Sequence, residues 1–471
     1  MNTARDFLPF SPSPLQPTYE YRHPILSQGV PQHLPNRGLQ PSTLRPQRPT
    51  LAYRHNRILR FFLMPMGSWP GEIFGETVPF IFRYHRRHLQ VQAPLVVCGE
   101  INYLYHNIKR LSFFVLGHVY ITTFLTAVRA TIACQKKYGK LANDFYSMFD
   151  LEHFKHKGPY YKKVHDFVYT FSHYYAQFMT SMMVCGMMLF NILPLYNNYV
   201  MGAFTNNMAE NDTAEFSIYY SFPGFKPEEN FWLMTFINLY FTYCCSIEIC
   251  FYDLFLSFMT FHIIGHTDIL VNTLENFTLP KSFYRFNDIK VDIYDDIENN
   301  MIRHKIIECV NHHKLIVQFA DDVSTLFGPM LAFNYFIHLI SCCLLLLECS
   351  QLDPDALARY GPLTIIIFGQ LIQMSVMFEI VGAKSEKLID AVYCTPWECM
   401  DLKNQRSICI LLNRVQTPIN VTALGMAKVG VETMAGVSTQ RLHIYQSIIE
   451  LGIKKTVIVV YKALCQSCLL Y

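Results

Sequence analysis

Six long apolar windows constrain this chain more than any other feature of its sequence. A helix needs roughly 20 consecutive apolar residues to cross a hydrocarbon core of about 30 Å, because its backbone polar groups must be satisfied within the segment. The windows that meet or approach this length cover residues 111–133, 174–196, 236–261, 327–347, 361–382 and 419–437. We therefore expect an all-α membrane protein rather than a set of soluble domains.

Composition and charge agree with this expectation and exclude several functions. Charged residues make up only 16% of the chain, against about 25% in soluble domains. The net charge of +3 is small and no basic run or zinc-finger spacing occurs, so we expect no nucleic-acid partner. The sequence has no phosphate-binding, dinucleotide-binding or nucleophile motif and does not predict an enzyme. Residues 1–55, rich in Pro, Gln and Arg, predict a disordered cytoplasmic tail.

Lys and Arg are distributed unevenly between the loops. A weaker apolar segment, residues 89–105, can be counted as the first of seven spans, with the N-terminus inside. The inner loops 134–173, 265–326 and 383–418 then hold seven, six and five basic residues, while the outer loops 197–230 and 350–360 hold one each. By the positive-inside rule this predicts seven transmembrane helices, a cytoplasmic N-terminus and an extracellular C-terminus. A metabotropic seven-helix receptor has the opposite orientation and remains the alternative.

Three glycosylation sequons refine this topology. Asn211-Asp-Thr lies in a predicted outer loop, whereas Asn276-Phe-Thr and Asn420-Val-Thr lie on the predicted inner side. We expect only the first to be available for glycosylation.

The inner loop 265–326 has an acidic middle followed by an amphipathic stretch, residues 302–319. That stretch predicts a helix that extends the fifth span into the cytoplasm, either as a solvated loop helix or as a docking element. Nearby, His262 and His266 share a helix face without a third ligand, and Cys465-Gln-Ser-Cys468 lacks a second cysteine pair. We therefore predict no metal site and no cofactor.

Five motifs stand out along the chain: GSWPGEIFGE (67–76), NHHKLIVQFADDVSTLF (311–327), PWECMD (396–401), LLNRVQTP (411–418) and ALGMAKVGVETMA (423–435). These motifs resemble the insect odorant receptor family, and most closely its moth sex-pheromone-receptor branch. The resemblance implies an odorant-gated cation channel in the plasma membrane of sensory dendrites, formed as a hetero-tetramer with a common co-receptor. It also implies a cytoplasmic anchor helix over residues 396–416, where subunits meet, and a pore helix that begins at residues 419–437.

The anchor and pore regions have patterns of their own. An apolar stripe at helical spacing runs through 408–415, and such a stripe outside the bilayer packs either on a partner subunit or within its own chain. The expected anchor residues are Trp397, Asp401, Ile408, Leu411, Leu412 and Val415. In the pore helix, a carboxylate favours cations if it lines the path, but an intrahelix ion pair with no permeation role is the alternative. The expected pore residues are Val421, Leu424, Gly425, Lys428 and Glu432.

The implied ligand is a small, volatile, apolar molecule with at most one oxygen-bearing group, which needs an apolar cavity with one or two polar side chains. The outer halves of the spans offer Phe113, Phe114, His118, Tyr120, Met187, Met188, Phe190, Phe236, Tyr240, Thr364 and Phe368. His118 and Tyr120 are the candidate hydrogen-bonding partners of a carbonyl. Each of these residues has a core or lipid-facing role as its alternative.

Residues 438–471 do not continue the apolar pattern of the expected pore helix, because Arg441, Lys454 and Lys455 do not suit the outer end of such a helix. A non-functional family member with an altered C-terminus is therefore a further alternative to a working channel subunit.

Overall fold

A computed structural model describes residues 54–67, 69–71, 74–107, 136–205, 214–222, 230–286, 289–349, 354–423 and 427–428, and these are mostly helical. The α-helices are α1 Arg54–Leu63, α2 Phe80–Asn107, α3 Lys136–Asp144, α4 Pro159–Val200, α5 Phe231–Glu275, α6 Asp296–Cys349, α7 Pro354–Tyr393 and α8 Leu402–Val415. Two antiparallel strand pairs accompany them: β1 Ser282–Phe286 with β2 Ile289–Ile293, and β3 Thr422–Ala423 with β4 Ala427–Lys428.

The predicted spans that fall on described residues lie inside longer helices. α2 contains 89–105, α4 contains 174–196, α5 contains 236–261, α6 contains 327–347 and α7 contains 361–382, whereas 111–133 lies outside the described residues. α6, with 54 residues, is about 80 Å long at 1.5 Å per residue. Such a helix is much longer than a bilayer core of about 30 Å.

Among the described residues, α4 and α5 are long and apolar enough to cross a membrane. Their environments differ, since 82% of the most apolar stretch of α5 is buried but only 22% of that of α4. α5 packs against α4, α6 and α7, and it is apolar on all sides, as a central helix must be. α4 instead has an apolar side that the described part of the chain leaves uncovered.

The segment before α2 was only partly predicted. The expected disordered tail, 1–55, runs two residues too far, because α1 begins at Arg54 and His55 is buried. The described residues of the GSWPGEIFGE motif, 67, 69–71 and 74–76, follow α1. Gly67 has a φ of 66°, and a Cβ there would lie 2.5 Å from the Cβ of Arg86, so only glycine fits. Glu76 accepts hydrogen bonds from Arg60 and Trp69, which closes the turn against α1.

The acidic loop between α5 and α6 contains a structure that the sequence analysis did not predict. β1 and β2 form a hairpin there. Glu298 and Asp295 then start α6 as a capping box: the Glu298 N–H donates to Asp295 at 2.6 Å, and the Asp295 N–H donates to Glu298 at 3.1 Å. The amphipathic stretch 302–319 lies within α6.

The predicted anchor helix, 396–416, is shorter in the structure. A 3₁₀ turn covers Trp397–Cys399, and α8 begins at Leu402. Asp401 is its N-cap and accepts the Asn404 N–H at 2.9 Å, which satisfies one free donor of the first turn. The Asn404 side chain donates to the Asn299 carbonyl at 2.9 Å and ties α8 to α6.

The prediction of a pore helix from residue 419 is wrong for the described residues. Thr422 pairs with Lys428, and Ala423 pairs with Ala427, in an antiparallel arrangement. Pro418 and the β-branched Val421 and Thr422 are poor helix formers. The Ile419 N–H and the Thr422 N–H donate to the hydroxyls of Ser385 and Ser324 instead of entering a helical ladder.

Candidate functional site

The 214–222 segment binds three helices at the end of the bundle where α4 ends and α5 begins. The Glu215 N–H donates to Asn198 of α4 at 2.8 Å, and the Ile218 N–H donates to Asn238 of α5 at 2.8 Å. The Ser221 N–H donates to the Gly99 carbonyl of α2 at 3.0 Å. The segment is therefore held by hydrogen bonds to each neighbour, and it covers an apolar cluster.

That cluster consists of buried residues of the segment and of α5, surrounded by aromatic side chains from the same elements and from α4. Its buried members are Phe216, Ile218, Tyr220 and Met234. Gly99 is essential to the packing, since a Cβ there would lie 2.7 Å from the Phe222 ring. The segment is close to α2 only because glycine presents no side chain.

The predicted ligand residues have mixed positions. Phe190 packs against the cluster, Tyr240 is half-buried, and the Tyr240 hydroxyl lies 2.8 Å from Nε2 of His85. Met188 and Phe236 are 53% and 67% exposed, so in this chain they face outward. Met187 and Phe368 are half-buried, and Thr364 lies in α7. Phe113, Phe114, His118 and Tyr120 lie outside the described residues.

The structure adds polar groups that sequence reasoning missed. Tyr220 is 1% exposed, and its hydroxyl has no hydrogen-bond partner among the described residues. Thr242 of α5 is buried, and its hydroxyl also has no hydrogen-bond partner among the described residues. Thr242 is next to Phe241, whose ring centre lies 5.7 Å from that of Tyr220. A buried hydroxyl without a hydrogen-bond partner is unfavourable. The oxygen of an otherwise apolar ligand would supply the missing partner. No sequence signal marks Tyr220, because it lies in a short irregular segment.

The apolar stripe of α8 is buried within its own chain. Ile408, Leu411 and Val415 are at most 3% exposed, and α8 packs against α6 and α7. Of the two alternatives for this stripe, the intrachain contact is the one that the structure has. Leu412 is half-buried and Trp397 is 37% exposed. Apolar side chains that remain open to a partner lie on the other face of α8, at Leu402 and Ile410, which are 71% and 66% exposed.

The predicted pore residues do not form a helix face where they are described. Val421 is 1% exposed and buried in the core, and Lys428 belongs to β4. Leu424, Gly425 and Glu432 lie outside the described residues.

His262 and His266 do not converge on a common ligand. Nε2 of His262 lies 3.5 Å from the carboxylate of Asp150, while the two ring nitrogens of His266 lie 2.8 Å from the Phe149 carbonyl and 2.9 Å from His312. Burial alone would raise the pKa of Asp150, but its contact with His262 and its hydrogen bonds from Tyr169 and the Glu152 N–H lower that pKa below the ordinary value. These contacts join the segment before α4 to α5 and α6.

The fold, with long helices around a buried α5 and a segment folded over one end, is that of the insect olfactory receptors. The olfactory receptor OR5 of Machilis hrabei superimposes with a TM-score of 0.63 at 12% identity, over 84% of this chain and 97% of OR5. The same receptor in complex with eugenol superimposes with a TM-score of 0.61 at 12% identity, over 84% and 98% of the two chains.

Sequence comparison gives the family. A profile described as "7tm Odorant receptor" matches residues 175–438, more than half of the chain, and the protein belongs to this odorant receptor family. Odorant receptor 85a of Drosophila melanogaster is 26% identical over 145 residues, which are 29% of this chain. That alignment spans 36% of the Drosophila protein. Resemblance to the family, predicted from the sequence motifs, is thus confirmed.

Proposed function

We propose that the protein is the ligand-sensing subunit of an odorant-gated, non-selective cation channel that works with a common co-receptor in the plasma membrane of olfactory sensory neurons. The observation that carries the proposal is family membership together with a fold shared over nearly the whole length of OR5. OR5 has been solved with the odorant eugenol bound, which supports a small apolar ligand for this chain as well.

The region around Tyr220 and Phe190 is the proposed place of ligand contact. It combines an apolar cluster with buried hydroxyls that have no partner among the described residues, which is the chemistry required for a flexible apolar chain with one aldehyde, ester or alcohol group. Moth pheromones have this chemistry, and the resemblance of the motifs to the moth pheromone-receptor branch supports this ligand class.

The proposal is tested by co-expressing the chain with an insect odorant co-receptor and recording currents while a panel of long-chain aldehydes, esters and alcohols is applied. The Tyr220→Phe variant removes only the hydroxyl. We expect it to reduce sensitivity to the active oxygen-bearing ligand about tenfold, the loss of one hydrogen bond. Tyr199→Phe is the matched control, since Tyr199 is 72% exposed. Currents that are equal in the two variants would remove Tyr220 from the site.

A second candidate, a family member that does not conduct, is favoured by one observation. The family match ends at residue 438, where the sequence changes from small and apolar residues to polar ones. A chimera that replaces 438–471 with the C-terminal end of a functional odorant receptor separates the two candidates. Currents in the chimera but not in the natural chain indicate a silent receptor, and currents in both indicate that this tail permits gating.

A further inference from the structure

A cleft between α4, α5 and α7 lies apart from the proposed ligand region. It has a volume of about 850 Å³, and none of the predicted ligand residues lines it. The residues that line it recur at helical spacing. They run from Tyr160 to Tyr175 on α4, from Phe261 to Asp268 on α5, and from Ile372 to Lys384 on α7. Fifteen residues of helix are about 22 Å long, so the cleft is an elongated channel parallel to the helices.

The two ends of the cleft differ in polarity. Phe171, Phe261 and Ile372 belong to the apolar end, where the ring centres of Phe171 and Phe261 are 4.9 Å apart. Phe171 and Ile372 are 45% and 46% exposed, so the described residues leave this end uncovered. An open apolar channel in a membrane protein is the surface that a lipid acyl chain covers.

The other end carries charge. Asp268 pairs with Lys384 and accepts a hydrogen bond from Tyr160 at 2.8 Å, which neutralises one lysine against one carboxylate. Lys163 also lines the cleft and is exposed, and no described carboxylate pairs with it. The lining therefore holds one cation in excess, at a place where an anionic head group can reach it.

The apolar end lies at the predicted membrane boundary, and the charged end lies beyond it. Phe261 and Ile372 fall within the predicted spans 236–261 and 361–382, and Phe171 lies three residues before the span 174–196, while Lys163, Asp268 and Lys384 fall in the adjoining segments. In the proposed orientation, which this inference adopts, those segments are cytoplasmic. The cytoplasmic leaflet is rich in anionic lipids, and basic pockets between helices on that side bind their head groups.

We propose that this cleft binds one anionic phospholipid of the inner leaflet, with an acyl chain between Phe171, Phe261 and Ile372 and the head-group phosphate at Lys163. The lipid covers the side of α4 that the chain leaves open, and it bridges α4 to α7. The site is distinct from the odorant region, so lipid and odorant do not compete for the same contacts.

The test uses the full-length receptor in nanodiscs that contain a phosphatidylserine probe with a photoreactive group in its acyl chain. After irradiation, labelled residues are identified by mass spectrometry. We expect labels on the α4, α5 and α7 walls, removed by excess phosphatidylserine and retained in excess phosphatidylcholine. Labels that either lipid removes equally, or that an activating odorant displaces, would overturn the proposal.

Two matched pairs of variants locate the head group and the chain. Lys163→Gln is expected to reduce labelling at least fivefold, whereas Lys162→Gln, an adjacent exposed lysine outside the lining, leaves it unchanged. Val376→Trp fills the apolar end and reduces labelling without changing charge, whereas Ile365→Trp, 73% exposed on the same helix and outside the lining, does not. Equal labelling within both pairs contradicts the assignment. Labelling does not depend on current, so a silent channel leaves this test intact.

Discussion

Buried His266 and half-buried His312 form a pair between α5 and α6, with Nδ1 of His266 lying 2.9 Å from Nε2 of His312. Burial and the nearby charge of Lys157 lower the pKa of His312 from 6.5 to about 4. Burial and the charge of His312 likewise lower the pKa of His266. The folded protein therefore keeps both rings neutral at a pH where the unfolded chain would protonate them.

The difference in pKa between the folded and the unfolded chain fixes the direction in which stability changes with pH. Well above pH 6.5 neither state binds the proton, and the pair contributes its full stability. Between pH 6.5 and about 4 the unfolded chain takes up protons while folded His312 does not, so stability falls as pH falls. A shift of this size corresponds to about 3 kcal/mol at roughly 1.4 kcal/mol per pKa unit.

We expect the apparent unfolding temperature of the purified receptor to decrease between pH 7.5 and pH 5, and the His312→Gln variant to lose much of that dependence. His304→Gln is the control, because His304 is exposed on the same helix. The measurement is thermal unfolding followed by intrinsic fluorescence. Identical pH profiles for the two variants would show that the buried pair does not set the dependence.

Among the elements, the 214–222 segment is held by side chains rather than by secondary structure. The Ile218 N–H donates to Asn238 of α5, and Asn198 of α4 both donates to and accepts from the Glu215 backbone. We expect Asn238→Ala to increase hydrogen exchange of the Ile218 amide roughly tenfold, the loss of one buried hydrogen bond. Asn276→Ala, which removes only a bond within its own helix end, leaves this rate unchanged. Unchanged exchange in Asn238→Ala would contradict the assigned contact.

Helix α8 offers two opposite faces for a second prediction. Ile408 is 3% exposed and packed inside the chain, whereas Ile410 is 66% exposed. If α8 is the subunit anchor, Ile410→Glu lowers the amount of co-receptor that co-purifies while leaving thermal stability intact. Ile408→Glu buries a charge and lowers the yield of folded receptor itself. Normal co-purification of the Ile410→Glu variant would exclude this face from the subunit interface.

The elements also show what could be predicted from the sequence. Apolar windows marked the helices α4 to α7, and the stripe through Ile408 and Val415 marked α8, because both signals are local periodicities. The contacts of His266 with Phe149 and of Ser221 with Gly99 join residues more than a hundred positions apart, and no local pattern encodes them. The strands β3 and β4 were missed because small and apolar residues fit a helix by composition, whereas the backbone N–H groups of Ile419 and Thr422 donate to the hydroxyls of Ser385 and Ser324 instead of to helical carbonyls.

At the scale of the whole molecule, α5 separates the two glycosylation sequons that can report the orientation of the chain in the membrane. It begins at Phe231, which follows the loop with the sequon at Asn211, and ends at Glu275, next to the sequon at Asn276. Its 45 residues are about 67 Å long, more than twice the hydrocarbon thickness. These two sequons therefore lie on opposite sides of the membrane if α5 crosses it.

Glycosylation reports which side is which. With a cytoplasmic N-terminus, Asn211 faces the lumen during synthesis, so the expressed receptor carries a glycan that a glycosidase removes, and Asn211→Gln abolishes the mobility shift. Asn276→Gln is the matched control and leaves the shift unchanged, because a cytoplasmic asparagine is never glycosylated. The inverted orientation of a metabotropic receptor gives the reverse result: the glycan at Asn276 is lost in Asn276→Gln, and Asn211→Gln leaves the mobility shift unchanged. That outcome would overturn the channel topology together with the inner-leaflet position of the lipid cleft.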